Sequence, residues 1–186
     1  MPPLTPCQTV GPFFAVLVPE RGRLSLVTDG TPGPRVAIEG TIRDGAGRPI
    51  PDALVEIWQA NAAGHYNHPD DARIAEQDTT FDGFGRVHAD AEGCFAVETI
   101  KPGPVPGPGG RLQAPHLLVG LFARGLLTRL VTRIYFGNEP ANAQDPILAE
   151  VAPDRRPTLV AVRRDPGLYS HAIVLQGSGE TVFFDV

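Results

Sequence analysis

From residue 36 onward, apolar and polar positions alternate in short runs. Residues 36–43 carry Val36, Ile38 and Ile42 at the spacing of a half-buried strand. The turn Asp44-Gly45-Ala46-Gly47 ends that run. Residues 53–59 put Leu54, Glu56 and Trp58 on one face and Val55 and Ile57 on the other, and the second face, free of charge, is the core face. Further strand-like runs cover residues 94–101, 116–122, 129–136, 158–163, 169–176 and 180–184, the last two separated by Gly177-Ser178-Gly179. About eight short strands with tight turns predict an all-β fold, a two-sheet β-sandwich. Between them, residues 61–86 are polar and Gly-punctuated and predict a long functional loop, residues 102–110 a Pro/Gly loop, and residues 140–150 a short helix. Residues 1–34 show little periodicity. They predict an extended N-terminal arm, ordered because residues 11–18 are too apolar for a solvated tail, ahead of a single domain over 35–186.

Composition supports this picture. Apolar residues make up 42% of 186, enough for one core. The 21 Gly and 20 Pro disfavour helix interiors and supply turns. A net charge of −5, with no block of basic residues, argues against nucleic acid or an anionic membrane as partner. Cys7 and Cys94 lack metal-ligand spacing and are too few for a disulfide scaffold, so they read as free thiols. No apolar run approaches the ~18 residues of a membrane span and no secretory signal is visible, so the expected location is cytoplasmic.

The chain has no phosphate-cradling glycine loop, no nucleophile elbow and no HExxH. Its candidate chemistry rests on a few side chains. His65 and His68 flank Tyr66 in the polar loop, a cluster that also fits solvated surface. His116 opens an apolar strand after Pro115, where a strand-end histidine with a backbone partner is the plainer reading. Asp78 and Asp82 fit turn positions. Arg133 lies among the strand residues 130–136, so its charge must reach solvent, a carboxylate or a partner surface.

One string joins these pieces: Arg48-Pro49-Ile50-Pro51-Asp52-Ala53-Leu54-Val55-Glu56-Ile57-Trp58-Gln59-Ala60-Asn61, followed by Gly64-His65-Tyr66, Phe81-Asp82-Gly83-Phe84-Gly85-Arg86 and Thr99-Ile100-Lys101-Pro102-Gly103-Pro104. It resembles the signature of the intradiol catechol dioxygenases and covers roughly the central third of the chain. The ends are similar to one subtype of that family, an iron-free α chain that works with a homologous iron-bearing β chain. They read Thr5-Pro6-Cys7-Gln8-Thr9-Val10-Gly11-Pro12-Phe13, Leu121-Phe122-Ala123-Arg124-Gly125-Leu126 and Glu180-Thr181-Val182-Phe183-Phe184-Asp185.

The resemblance implies cleavage of a catechol ring between its two hydroxyl-bearing carbons by O2. The subtype implies protocatechuate as substrate and a 3-carboxy-cis,cis-muconate as product. Catalytic members hold one ferric ion with two tyrosines and two histidines, hard phenolates being suited to a hard cation. Carried over position by position, the first tyrosine falls on Tyr66 and the first histidine on His116. The second tyrosine falls on Val105 and the second histidine on Leu118, neither of which can bind metal. The subtype therefore implies Fe(III) on the partner β chain, a higher hetero-oligomer, and a cavity at the α/β junction. Thr9, Gly11, Pro12 and Phe13 of the arm would line its wall, with Arg133 as a guide for an anionic substrate. Phe13 stands where the subtype has a tyrosine. Two other readings remain open from sequence: a self-sufficient metal site built on Tyr66, His116 and groups such as His65, and a non-catalytic ligand-binding or structural β-sandwich.

Overall fold

The computed structural model describes residues 8–11, 13–14, 22–71, 73 and 80–185. Cys7, Pro12, Asp78 and the apolar residues 15–18 lie outside the described residues.

Eleven strands appear among those residues: β1 (Arg23–Ser25), β2 (Arg35–Arg43), β3 (Leu54–Trp58), β4 (Phe84–His88), β5 (Cys94–Ile100), β6 (Val105–Pro106), β7 (Leu112–Gln113), β8 (His116–Phe122), β9 (Leu130–Phe136), β10 (Val160–Asp165) and β11 (Leu168–Val174). Nine form one mixed sheet in the order β1-β5-β2-β11-β10-β9-β8-β3-β4, and β6 pairs with β7 in a small separate hairpin. The long sheet folds over at β10, which pairs antiparallel with β11 on one side and parallel with β9 on the other. Both halves contribute to one core. Ile38, Ile42, Phe95, Val97 and Ile173 come from one half, and Val55, Ile57, Val119, Leu121 and Ile134 from the other. This is the expected two-layer β-sandwich.

Gly40 shows how closely neighbouring strands pack within one half. It sits directly opposite Phe95 on β5, and a Cβ at Gly40 would lie 2.1 Å from the Phe95 ring. Gly40→Ala should therefore push the ring off its site and cost about 1–3 kcal/mol. Urea denaturation measures it, and the penalty should shrink when Phe95→Leu is already present.

The expected strands 36–43, 53–59, 94–101, 116–122 and 129–136 match β2, β3, β5, β8 and β9, and the runs 158–163 and 169–176 match β10 and β11 in part. Strand β4 lies partly inside the expected polar loop. Its Phe84 and Arg86 are exposed with Gly85 between them, so little of it reads as apolar alternation. Residues 180–184 do not form a strand; a single bridge ties Phe184 to Val131. The expected helix at 140–150 is a 3-10 turn, Pro140–Gln144, followed by the one-turn helix α1, Pro146–Glu150. Residues 23–25, within the expected arm, pair with β5 at the sheet edge. Among the described residues no helix is long and apolar enough to cross a membrane.

Candidate functional site

The outer face of the β3, β8 and β9 half is roofed by loops. Cross-strand register places Trp58, Leu118 and Arg133 in one row and His116 beside Tyr135 in the next. The loop after β3 lays Tyr66 over this face. Its shape starts at Asn61, whose Oδ1 accepts the N–H groups of Ala63 and His65, each at 3.0 Å. Gly64 follows at φ +83, packed so closely on the Pro104 carbonyl that a Cβ would lie 2.1 Å from it. That approach needs glycine and brings the Tyr66 loop against the β6–β7 hairpin. The Tyr66 N–H then donates to Asp71 Oδ2 at 2.9 Å, and Arg73 clamps the same carboxylate while donating to the Gly64 carbonyl at 2.8 Å. Burial opposes ionisation of Asp71, but the Arg73 and Tyr66 N–H donors and the Arg73 charge hold its carboxyl at about 2.

The result is a cleft of ≈ 470 Å³ whose walls include Trp58, Tyr66, Val105, Pro106 and Gln113. The Trp58 and Tyr66 rings are 4.8 Å apart. A second hollow of ≈ 400 Å³ shares Trp58 and His68 and reaches Leu118. The structure thus gathers the four positions that the family pattern singles out. Tyr66 and Val105 face one cleft, Leu118 the adjoining one, and His116 lies two residues from Leu118 on the same strand. A larger hollow of ≈ 590 Å³ covers the opposite half of the sheet, near Glu39, Cys94 and Arg164, and contains none of these residues.

Beneath the cleft runs a chain of hydrogen bonds. Arg133 Nη1 donates to Gln113 Oε1 at 2.6 Å and to the Tyr135 hydroxyl at 3.2 Å. Tyr135, fully buried, donates to Asp145 Oδ1 at 3.1 Å. Asp145 caps α1 by accepting the N–H groups of Ile147 and Leu148, and its Oδ2 accepts the Ala114 N–H at 2.7 Å. His116 Nδ1 donates to the Ala114 carbonyl at 2.7 Å, since a carbonyl can only accept. Sequence reasoning missed Gln113 and Asp145. The Asp145-Pro146 pair carried a helix-start signal; nothing local marks Gln113.

With no metal bound, these groups are neutral. Burial raises the Tyr66 phenol above its ordinary value, Arg133 opposes the rise and Asp71 adds to it. Burial likewise raises Tyr135, in spite of Arg133. Burial, then Arg133, push His116 down to about 4. At the four ligand positions only the Tyr66 phenol and the His116 imidazole offer donor atoms, Val105 and Leu118 offer none, and a fixed guanidinium stands beside them. Among the described residues no three of His, Cys, Asp and Glu gather to hold a metal. His65 does not complete a set; it lies buried in the loop turn made by Asn61.

The expected wall residues fall in two places. Thr9 Oγ1 accepts the Gly125 N–H at 2.9 Å, which fastens the arm to the β8–β9 turn. Phe14 sets its ring edge-on to His88 at 5.1 Å. Gly11 is exposed, and Phe13 is 71% exposed at the same end of the molecule as Leu127, 62% exposed. Arg133 is elsewhere. It faces Leu118, four residues before the end of β8 at Phe122 and so roughly 13 Å along the strand at ~3.3 Å per residue, with the turn to Gly125 beyond. The structure therefore brings Thr9, Gly11 and Phe13 together, and groups Arg133 with Tyr66 and His116.

Comparison with known proteins agrees with this geometry. Residues 10–177 match a family model described as Dioxygenase. The chain is 41% identical to the protocatechuate 3,4-dioxygenase alpha chain of Burkholderia cepacia, covering 98% of this chain and 97% of that one. It is also 41% identical to the beta chain of the same enzyme, but over 83% of this chain and 70% of that one. Among solved structures, the dioxygenase domain of a dioxygenase–carbohydrate-binding fusion from Streptomyces sp. SirexAA-E superposes with a TM-score of 0.63 at 30% identity, covering 94% of this chain and 99% of that one. With the signature on β3, the Tyr66 loop and the sandwich in place, the chain belongs to the intradiol ring-cleavage dioxygenase family.

Proposed function

We propose that this chain is the iron-free α subunit of a protocatechuate 3,4-dioxygenase. It pairs with a homologous β chain that carries Fe(III), in a higher hetero-oligomer located in the cytoplasm. One observation carries the reading: the chain matches an alpha chain over nearly its whole length while two of four ligand positions, Val105 and Leu118, lack any donor atom. Identity alone does not decide, because the beta chain scores as high over a shorter stretch. The partner's ferric ion supplies the chemistry that opens the ring of protocatechuate with O2 to 3-carboxy-cis,cis-muconate.

This chain's contribution is a wall. Thr9 bonded to Gly125 holds the arm against the β8–β9 turn, and Phe14 on His88 fixes its direction. That leaves Gly11 and Phe13 outward, free to border a flat aromatic substrate in the partner's cavity, with Pro12 between them in sequence. Leu127 extends the exposed apolar surface at that end. Such large exposed side chains suit burial against a partner. The Thr9 hydroxyl positions the arm, so Thr9→Val should raise the Michaelis constant of the assembled enzyme several-fold, about 3–10-fold, with little change in the fold's stability.

The test of the reading is reconstitution. The lone chain should show no ring cleavage, and mixing it with its β partner should give activity. Ring cleavage by the lone chain would contradict the reading.

A further inference from the structure

The pocket around Tyr66 and His116 already contains a positive charge, and the fold holds it in place. Arg133 on β9 stands directly opposite Leu118 on β8, one of the two positions where the ligand pattern is broken. Its Nη1 donates to both Gln113 Oε1, at 2.6 Å, and the Tyr135 hydroxyl, at 3.2 Å. Gln113 in turn donates to the Pro106 carbonyl at 2.8 Å and pairs in register with Val105, the other broken position. One arginine thus connects both broken positions and acts electrostatically on both retained ones. A guanidinium stays protonated at any working pH. In a half-buried pocket its repulsion of a trivalent ion is only weakly screened.

We infer that Arg133 is the resident cation of this pocket: it takes the role of the missing metal charge, ties the β6–β7 hairpin to β9 through Gln113, and excludes metal ions. Three positions, not two, then separate this chain from iron binding. The inference rests on the family placement of the ligand positions and is independent of which subunit the chain is.

Metal loading of the full-length chain tests it, with iron content and the visible absorbance of phenolate bound to ferric iron as readouts. The double variant Val105→Tyr/Leu118→His should remain at background iron. Adding Arg133→Gln should raise bound iron by about tenfold or more, toward one ion per chain, and bring up the visible band. Adding Arg133→Lys instead, which keeps the charge, should leave iron at background. Stoichiometric iron in the double variant overturns the inference, and so does a folded Arg133→Gln triple variant that takes up none. If that triple variant does not fold alone, the same changes are made in the chain co-expressed with its β partner. Iron per αβ pair should then double; no increase in the assembled complex overturns the inference.

Discussion

Asp145→Ala should destabilise the chain by about 3–5 kcal/mol, the largest effect expected of any single substitution in the site. The carboxylate is 1% exposed and accepts four hydrogen bonds: from the N–H groups of Ala114, Ile147 and Leu148 and from the Tyr135 hydroxyl. Alanine leaves all four donors without this partner, three of them buried and the Ile147 N–H half-buried. It also frees Tyr135, on which the Arg133 guanidinium rests. Asp145→Asn keeps one oxygen for the α1 cap but turns an amide N–H toward one of the remaining donors, so it should lose roughly half as much. Urea denaturation measures both. A midpoint for Asp145→Ala within about 0.5 kcal/mol of the parent chain would show that the network is not a structural joint.

Acid should weaken the fold before ordinary carboxylates are protonated. His171 is 6% exposed, its Nε2 has no hydrogen-bond partner, and burial pushes its pKa down to about 4. His116 is held at about 4 as well, by burial and then by Arg133. Above pH 6.5, the ordinary value, both states of each residue are neutral and stability is flat. Between pH 6.5 and about 4 the unfolded chain binds protons that the folded chain refuses, so stability falls as pH falls. The loss is at most about 3 kcal/mol per histidine by the lower edge of that window. Asp71, held at about 2, adds its own loss only at lower pH. His171→Leu should therefore reduce the slope of stability against pH between 6.5 and 4 by about one proton. An unchanged slope would mean that the folded protein protonates His171 readily.

The sandwich was legible because β2, β3 and β8 send alternate residues into one core, although β3 and β8 are largely buried on both faces. Strand β4 was not, since its burial begins only at Val87 and its Arg86 spends its charge on Glu56 of β3 at 2.8 Å. That pair also explains why a strand as buried as β3 tolerates a glutamate. In the site, Tyr66 and His116 were visible as residue types with metal-ligand chemistry. Arg133 stood out as a charge in an apolar strand, but its partners were not visible. Gln113 reaches it from a different hairpin, and Asp145 contacts Ala114 across 31 residues of sequence. Contacts of that span arise from the folding of loops over the sheet, which no local period encodes. Periodicity therefore gave the layers, whereas the hydrogen-bonded joint beneath the cleft required coordinates.

On the proposed function, this chain shapes an active site whose metal belongs to another chain. The most direct measurement is the iron content of the purified complex of this chain with its β partner, set against the subunit ratio. One ferric ion per αβ pair is expected, and none on this chain after the subunits are separated. Two ferric ions per pair, or iron that remains with this chain on separation, would contradict it.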